Sequence, residues 1–184
     1  MKVRFFLLLF LLSCADSKEV RLQRFLDKGN RALEDQNQEQ AAYYFQEALK
    51  IDACFADALN NMGTMSFRRK DLDEALALYT KAIDCRPDFL LARFNRANAY
   101  YERKEYFSAK KDVSKIIEQK PDTAAAYFLQ GLVASKMRDY PLALSSFGKA
   151  LSLDSANVDY LVNHGTVNFY LHNIEEARKD LDIA

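Results

Sequence analysis

From Leu22 onward the chain repeats itself every 34 residues, and this period limits the fold more than any other feature. Number each unit from one. Position 8 then holds Gly29, Gly63, Ala97, Gly131 and Gly165, so four of the five glycines share one register. Position 20 holds Ala41, Ala75, Ala109, Ala143 and Ala177. Position 24 holds Phe45, Tyr79, Val113, Phe147 and Leu181, and position 27 holds Ala48, Ala82, Ile116, Ala150 and Ala184. The units run without insertion as 22–55, 56–89, 90–123, 124–157 and 158–184. A unit this short cannot bury an apolar face alone, so consecutive copies must stack to enclose a core.

Each unit divides into two helix-length segments, A over about positions 1–14 and B over about positions 17–31. Position 16 supplies Asn37, Asp71, Glu105, Asp139 and Asn173, four of which are good caps for the start of a helix. Gln40, Glu74 and Glu176 stand three residues later, as in a capping box. Pro141 falls in the first turn of its B segment, where a missing N–H is tolerated. The small residues at positions 8 and 20 predict close approach of A to B, and a larger side chain there would overpack the contact.

These residues resemble the tetratricopeptide repeat, with Gly63, Ala75, Tyr79, Ala82 and Pro87 making the second unit the clearest copy. The resemblance implies an all-α fold, a right-handed superhelix of helix-turn-helix repeats, with the A helices lining a concave groove. It places Asn30, Leu33, Asn60, Asn61, Thr64, Phe67, Phe94, Asn95, Asn98, Tyr101, Phe128, Leu132, Asn163 and Phe169 in that groove. Aromatic rings supply contact area, and amides pair with a peptide backbone, so the expected partner is a protein or peptide segment. Positions 5 and 9 carry no basic residue, which argues against the clamp some members use for a carboxyl-terminal carboxylate. The third unit departs from the pattern, with Arg93 at position 4, Arg96 at position 7 and Ala97 in place of glycine. A looser middle, or one facing something polar, is expected. The last unit stops at its position 27, so Tyr160, Leu161, Leu181 and Ile183 are expected to be partly exposed. That reads either as a longer chain cut at Ala184, an interaction module of a larger protein, or as an end that forms a homo-oligomer through this C-terminal repeat.

Ahead of the repeats, Met1-Lys2-Val3-Arg4 is followed by an apolar run from Phe5 to Leu12. Eight residues rise about 12 Å as a helix, against a hydrocarbon core of about 30 Å, so this is a processed signal and not a spanning helix. Leu11-Leu12-Ser13-Cys14 resembles the lipobox of bacterial lipoproteins. The resemblance implies a signal peptide over 1–13, lipid on Cys14, and a tether over 14–21 that holds the repeats close to the bilayer. Two or more acyl chains anchor stably where one does not. Ser13-Cys14-Ala15 also fits an ordinary secretory cleavage site after Ala15. Ala15 in place of the Asp that marks inner-membrane retention in enteric bacteria favours the outer membrane.

The chain carries 26 basic and 26 acidic side chains, and cleavage before Cys14 removes Lys2 and Arg4 without removing an acid. The balance lacks the basic footprint of a nucleic-acid binder. Two histidines and no Cys-x-x-Cys make no metal site, the dispersed glycines make no phosphate loop, and no catalytic constellation or cofactor site is evident. Cys85 replaces a usually buried leucine and reads as a small core residue; whether it pairs with Cys54 is open, because spacing does not give their distance. Arg68, Arg69, Lys70, Arg103, Lys104, Lys136 and Arg138 cluster at the A–B turns. Cations there complement the helix dipole, and an anionic membrane surface is the weaker reading. The expected function is a lipid-anchored, non-enzymatic adaptor in the bacterial cell envelope.

Overall fold

The computed structural model describes residues 17–184, so Cys14 and the signal-like segment lie outside the described residues. Ten α-helices and no strand occupy the described residues. The described residues fall into two compact units, divided between Ala53 and Cys54. The first holds α1 (Lys18–Glu34) and α2 (Gln38–Ile51). The second holds α3 (Ala56–Arg68), α4 (Leu72–Cys85), α5 (Leu90–Glu102), α6 (Tyr106–Gln119), α7 (Ala124–Lys136), α8 (Tyr140–Leu153), α9 (Val158–Tyr170) and α10 (Ile174–Ile183). Odd-numbered helices are the A segments and even-numbered ones the B segments. Within the second unit each helix packs on the next, and α3, α5, α7 and α9 also approach one another in succession, forming an inner row.

One turn geometry separates every A from its B. Position 15 is left-handed in each unit: Gln36 at φ 59°, Lys70 at 65°, Lys104 at 65°, Arg138 at 61° and His172 at 62°. The next N–H then reaches back to the carbonyl at position 11, as from Asp71 to Ser66 at 3.0 Å and from Asp139 to Ala134 at 2.9 Å. This satisfies carbonyls the ending helix would leave open. The same residue starts the B helix. Asn37, Asp71 and Asp139 accept from the backbone N–H of Gln40, Glu74 and Leu142. Asn173 instead donates to Asn168 Oδ1 at 3.1 Å. The Glu74 carboxylate does not close a capping box; it accepts from Ser66 Oγ at 2.7 Å and pairs with Arg69 at 2.9 Å.

Positions 8 and 24 form a steric lock. A methyl group added to Gly63 would lie 2.7 Å from the Tyr79 ring, and one added to Gly131 would lie 2.5 Å from the Phe147 ring. Both rings are essentially fully buried and have nowhere to move. Where the third unit carries Ala97, its partner shrinks to Val113, and both are fully buried. The expected looseness of the middle is therefore absent: the larger residue at position 8 is matched by a smaller one at position 24. Gly131→Ala should destabilise the protein by about 2 kcal/mol, overriding a helix-propensity gain of about 1 kcal/mol. Gly131→Ala/Phe147→Val copies the third unit's pairing and should lose less than the two single changes summed. Urea unfolding measures the coupling, and strict additivity would contradict the lock.

Positions 7 and 23 face each other in the same way, and each unit uses a different chemistry. Lys28 lies over the Tyr44 ring at 5.5 Å. Arg96 binds Asp112 through two hydrogen bonds of 2.7 and 2.8 Å. Ser146 Oγ donates to Gln130 Oε1 at 2.9 Å, and His164 Nδ1 lies 2.7 Å from Asp180 Oδ2. Polar residues where the family carries an apolar one thus meet a matching partner sixteen residues on. The middle does face something polar, but that polar group is Asp112 of its own hairpin.

The cysteines pair. Cys54 precedes α3 and Cys85 ends α4; their Cα atoms are 5.4 Å apart, and a disulfide joins them. Cys85 is half-buried and bonded, not the free core residue its position implies. The bridge closes the open end of the α3–α4 hairpin, opposite the turn at 69–71. Beside it, Arg86 stacks 3.6 Å from the Phe89 ring centre and reaches Asp57 at 2.8 Å.

At the last hairpin, Tyr160 and Leu161 are buried, against expectation, whereas Leu181 and Ile183 are exposed as expected. Tyr160 is covered by Phe128, with ring centres 4.7 Å apart. Leu181 and Ile183 sit on α10, which has no following A helix among the described residues.

Candidate functional site

Asn30 and Leu33 lie on α1 in the first compact unit, both half-buried. The remaining candidates lie on α3, α5, α7 and α9 of the second unit, one row on successive A helices.

The structure divides them by what they touch. Asn60 is buried; its Nδ2 donates to Asn61 Oδ1 at 3.3 Å, and its Oδ1 accepts from Asn95 at 2.9 Å. This relay ties α3 to α5, so Asn60 and Asn95 brace the row and are not free to read a ligand. Phe67 packs on the Ala75, Leu76 and Tyr79 cluster, and Phe94 on the cluster around Leu129 and Val133. Phe128 lies against Phe147 and Tyr160. Each of these three rings is half-buried, so part of it packs on the core and part remains accessible. Thr64 donates to Asn60 O at 3.1 Å and accepts from the Tyr79 hydroxyl at 3.2 Å. Asn98 and Asn163 each donate one N–H to their own helix, to Phe94 O at 2.9 Å and Asp159 O at 2.7 Å. A primary amide has a second N–H and a carbonyl to offer a partner. Phe169 is 61% exposed and meets the Tyr170 ring edge-on at 6.2 Å.

Three candidates converge. Tyr101, Leu132 and Asn163, from α5, α7 and α9, line one cavity of about 330 Å³. Ser135, Lys136, Tyr140, Thr166, Val167 and Tyr170 complete it. Phe169 is not part of it; its neighbour Tyr170 is. Burial pushes the Tyr101 phenol above its ordinary pKa, aided by Tyr106 and Glu102, so it remains a neutral donor across the physiological range. Tyr140 and Tyr170 stack with ring centres 5.4 Å apart and planes 10° apart. Tyr140 belongs to the start of a B helix, so a reading confined to A helices could not find it. Ser135 could have been found, as the one small residue at position 12.

Three of the seven turn cations have an acidic partner among the described residues. Arg69 pairs with Glu74, Lys70 lies 3.9 Å from Glu102, and Arg103 pairs with Asp73 and Glu105. At the second and third units these pairs favour solvated turns over an anion-binding ridge.

Comparison with known proteins fits this geometry. Residues 56–89 and 124–157 each match a family model described as Tetratricopeptide repeat, so these two units are tetratricopeptide repeats. The chain is 30% identical over 106 residues to the heat shock protein sti1 homolog of Schizosaccharomyces pombe, a match covering 58% of this chain and 18% of that protein. It thus spans less than a fifth of that relative's length. Among solved structures, pilF of Pseudomonas aeruginosa superposes with a TM-score of 0.83 at 21% identity, covering 91% of this chain and 77% of that one. YrrB, described as a TPR protein with an unusual peptide-binding site, superposes with a TM-score of 0.75 at 18% identity, covering 91% of this chain and 90% of that one. The fold is an all-α tetratricopeptide solenoid.

Proposed function

We propose that this chain is a non-catalytic adaptor, held by lipid on Cys14 at the bacterial outer membrane, that grips a segment of another protein along the inner row of A helices. The observation that carries the reading is the convergence of Tyr101, Leu132 and Asn163 from three successive A helices on one cavity. Asn163 in the lining, and Asn98 one turn before Tyr101 on α5, add amide groups with hydrogen-bonding capacity left over. Rings and amides on a preformed surface suit an extended or helical segment. The likeness to YrrB, a protein described as having a peptide-binding site, supports the same reading.

The envelope location draws support from the Cys54–Cys85 bridge, since disulfides persist in oxidising compartments and are rare in the reducing cytosol. The Leu11-Leu12-Ser13-Cys14 sequence supports the anchor. Two changes separate location from grip. Cys14→Ser should release the protein from the membrane fraction and abolish labelling by an alkyne fatty acid; persistent labelling would remove the anchor. Asn98→Lys/Thr166→Lys should stay anchored and folded but lose its partners in a cross-linking pull-down from intact cells. An unchanged partner list would remove the groove.

A second reading has its own observation. Ile174, Leu181 and Ile183 leave α10 with an exposed apolar face, which a second copy of the chain would cover. Sedimentation of the purified protein decides it: a monomer at high concentration excludes this pairing.

A further inference from the structure

Resting on the groove reading above, we propose that the fourth repeat carries a seat for one aromatic side chain of the partner segment, next to a carboxylate that meets Lys136. Position 12 is large in the other four units, as Leu33, Phe67, Tyr101 and Phe169, and becomes Ser135 only in the fourth. The cavity of about 330 Å³ opens at that residue. No hydrogen bond among the described residues explains the serine, because its Oγ is buried without a partner there. What the exchange provides is space.

The shape and chemistry of that space select the occupant. The rings of Tyr101, Tyr140 and Tyr170, with Leu132 and Val167, line it, and the Tyr140–Tyr170 stack presents a flat aromatic wall. The volume lies at the small end of ligand sites, enough for a single ring and its adjoining backbone. A rigid aromatic side chain fills such a seat with little entropy loss and stacks on its walls. Lys136 is the one charged residue in the lining; it has no ion-pair partner among the described residues, and no carboxylate lines the cavity. Charge complementarity therefore calls for Asp or Glu beside the aromatic residue.

The test uses the purified full-length chain and fluorescein-labelled hexapeptides. The probe is Gly-Ser-Phe-Glu-Ser-Gly, compared with one peptide carrying Ala for Phe and one carrying Lys for Glu. Fluorescence anisotropy should show the Ala peptide about tenfold weaker and the Lys peptide about threefold weaker. Lys136→Glu should invert the second preference. Ser135→Phe installs the kind of side chain the other units carry and should abolish saturable binding while the melting temperature holds. Ser135→Leu, which matches Leu33, gives the same reading should the phenylalanine variant fail to fold. Equal binding of the Phe and Ala peptides, or undiminished binding by both Ser135 variants, would overturn the seat. The cellular pull-down separates this from the adaptor reading. A partner retained by Ser135→Phe but lost by Asn98→Lys/Thr166→Lys removes the seat and leaves the adaptor. A partner retained by both removes the adaptor.

Discussion

Asp112→Ala should destabilise the protein by about 3–5 kcal/mol, lowering the urea midpoint without changing the slope. The Asp112 side chain is 4% exposed, and the two guanidinium groups facing it, Arg93 and Arg96, are 14% and 15% exposed. Arg96 holds both carboxylate oxygens and also donates to Thr80 at 3.1 Å. Arg93 approaches Asp112 at 3.4 Å and donates to Pro87 O at 3.1 Å. Removing the carboxylate leaves two cations close together without their counter-charge, and an uncompensated buried charge costs more than the pair contributed. Restoring an apolar contact should reverse the loss. Arg93→Leu/Arg96→Met/Asp112→Leu, which copies Leu59, Met62 and Leu78 of the second unit, should recover most of the stability. A loss under 1 kcal/mol for Asp112→Ala would mean that the cluster is hydrated and does not hold the hairpin.

Opening the disulfide has an effect of similar size. Cys54 and Cys85 are 31 positions apart, and cross-linking a loop of this length restricts the unfolded chain by about 3.5 kcal/mol. Cys54→Ala/Cys85→Ala, or the native chain under dithiothreitol, should unfold at correspondingly lower urea concentration. The second unit should keep its helical circular dichroism at low denaturant, because its other three hairpins do not depend on the bridge. Identical midpoints with and without reductant would show that the bridge contributes no stability and would weaken the case for an oxidising compartment.

The hairpin plan was legible because it rests on local chemistry. A 34-residue spacing of Gly and Ala, caps at position 16 and Pro141 in a first turn all act within one unit. Contacts between residues far apart in sequence were less so. Arg96 looks misplaced when read alone, and only its distance to Asp112 shows that it is paired. The correlation was present in the sequence at a spacing of sixteen, where each polar residue at position 7 has its own partner at position 23. Ala97 likewise resembles a defect until Val113 is set beside it. The Cys54–Cys85 bridge could not be read from spacing, because it depends on where α4 ends relative to the start of α3. Among the candidate groove residues, type alone does not show a double role. Phe67, Phe94 and Phe128 are half-buried on A helices and also pack on the core or on neighbouring rings. The cavity is made by the small Ser135 and by Tyr140 at the start of a B helix.

The central claim is that a partner protein lies along the inner row of A helices. It is tested most directly by placing a photo-cross-linking amino acid at one site per variant in living cells. Asn98 and Thr166 report on the A-helix row, and Lys81 and Ser114 on exposed positions of the B helices. The account predicts that both A-row sites capture the same partner and that neither B-helix site does. Capture from Lys81 or Ser114 with none from Asn98 and Thr166 would place the partner on the other face and contradict it.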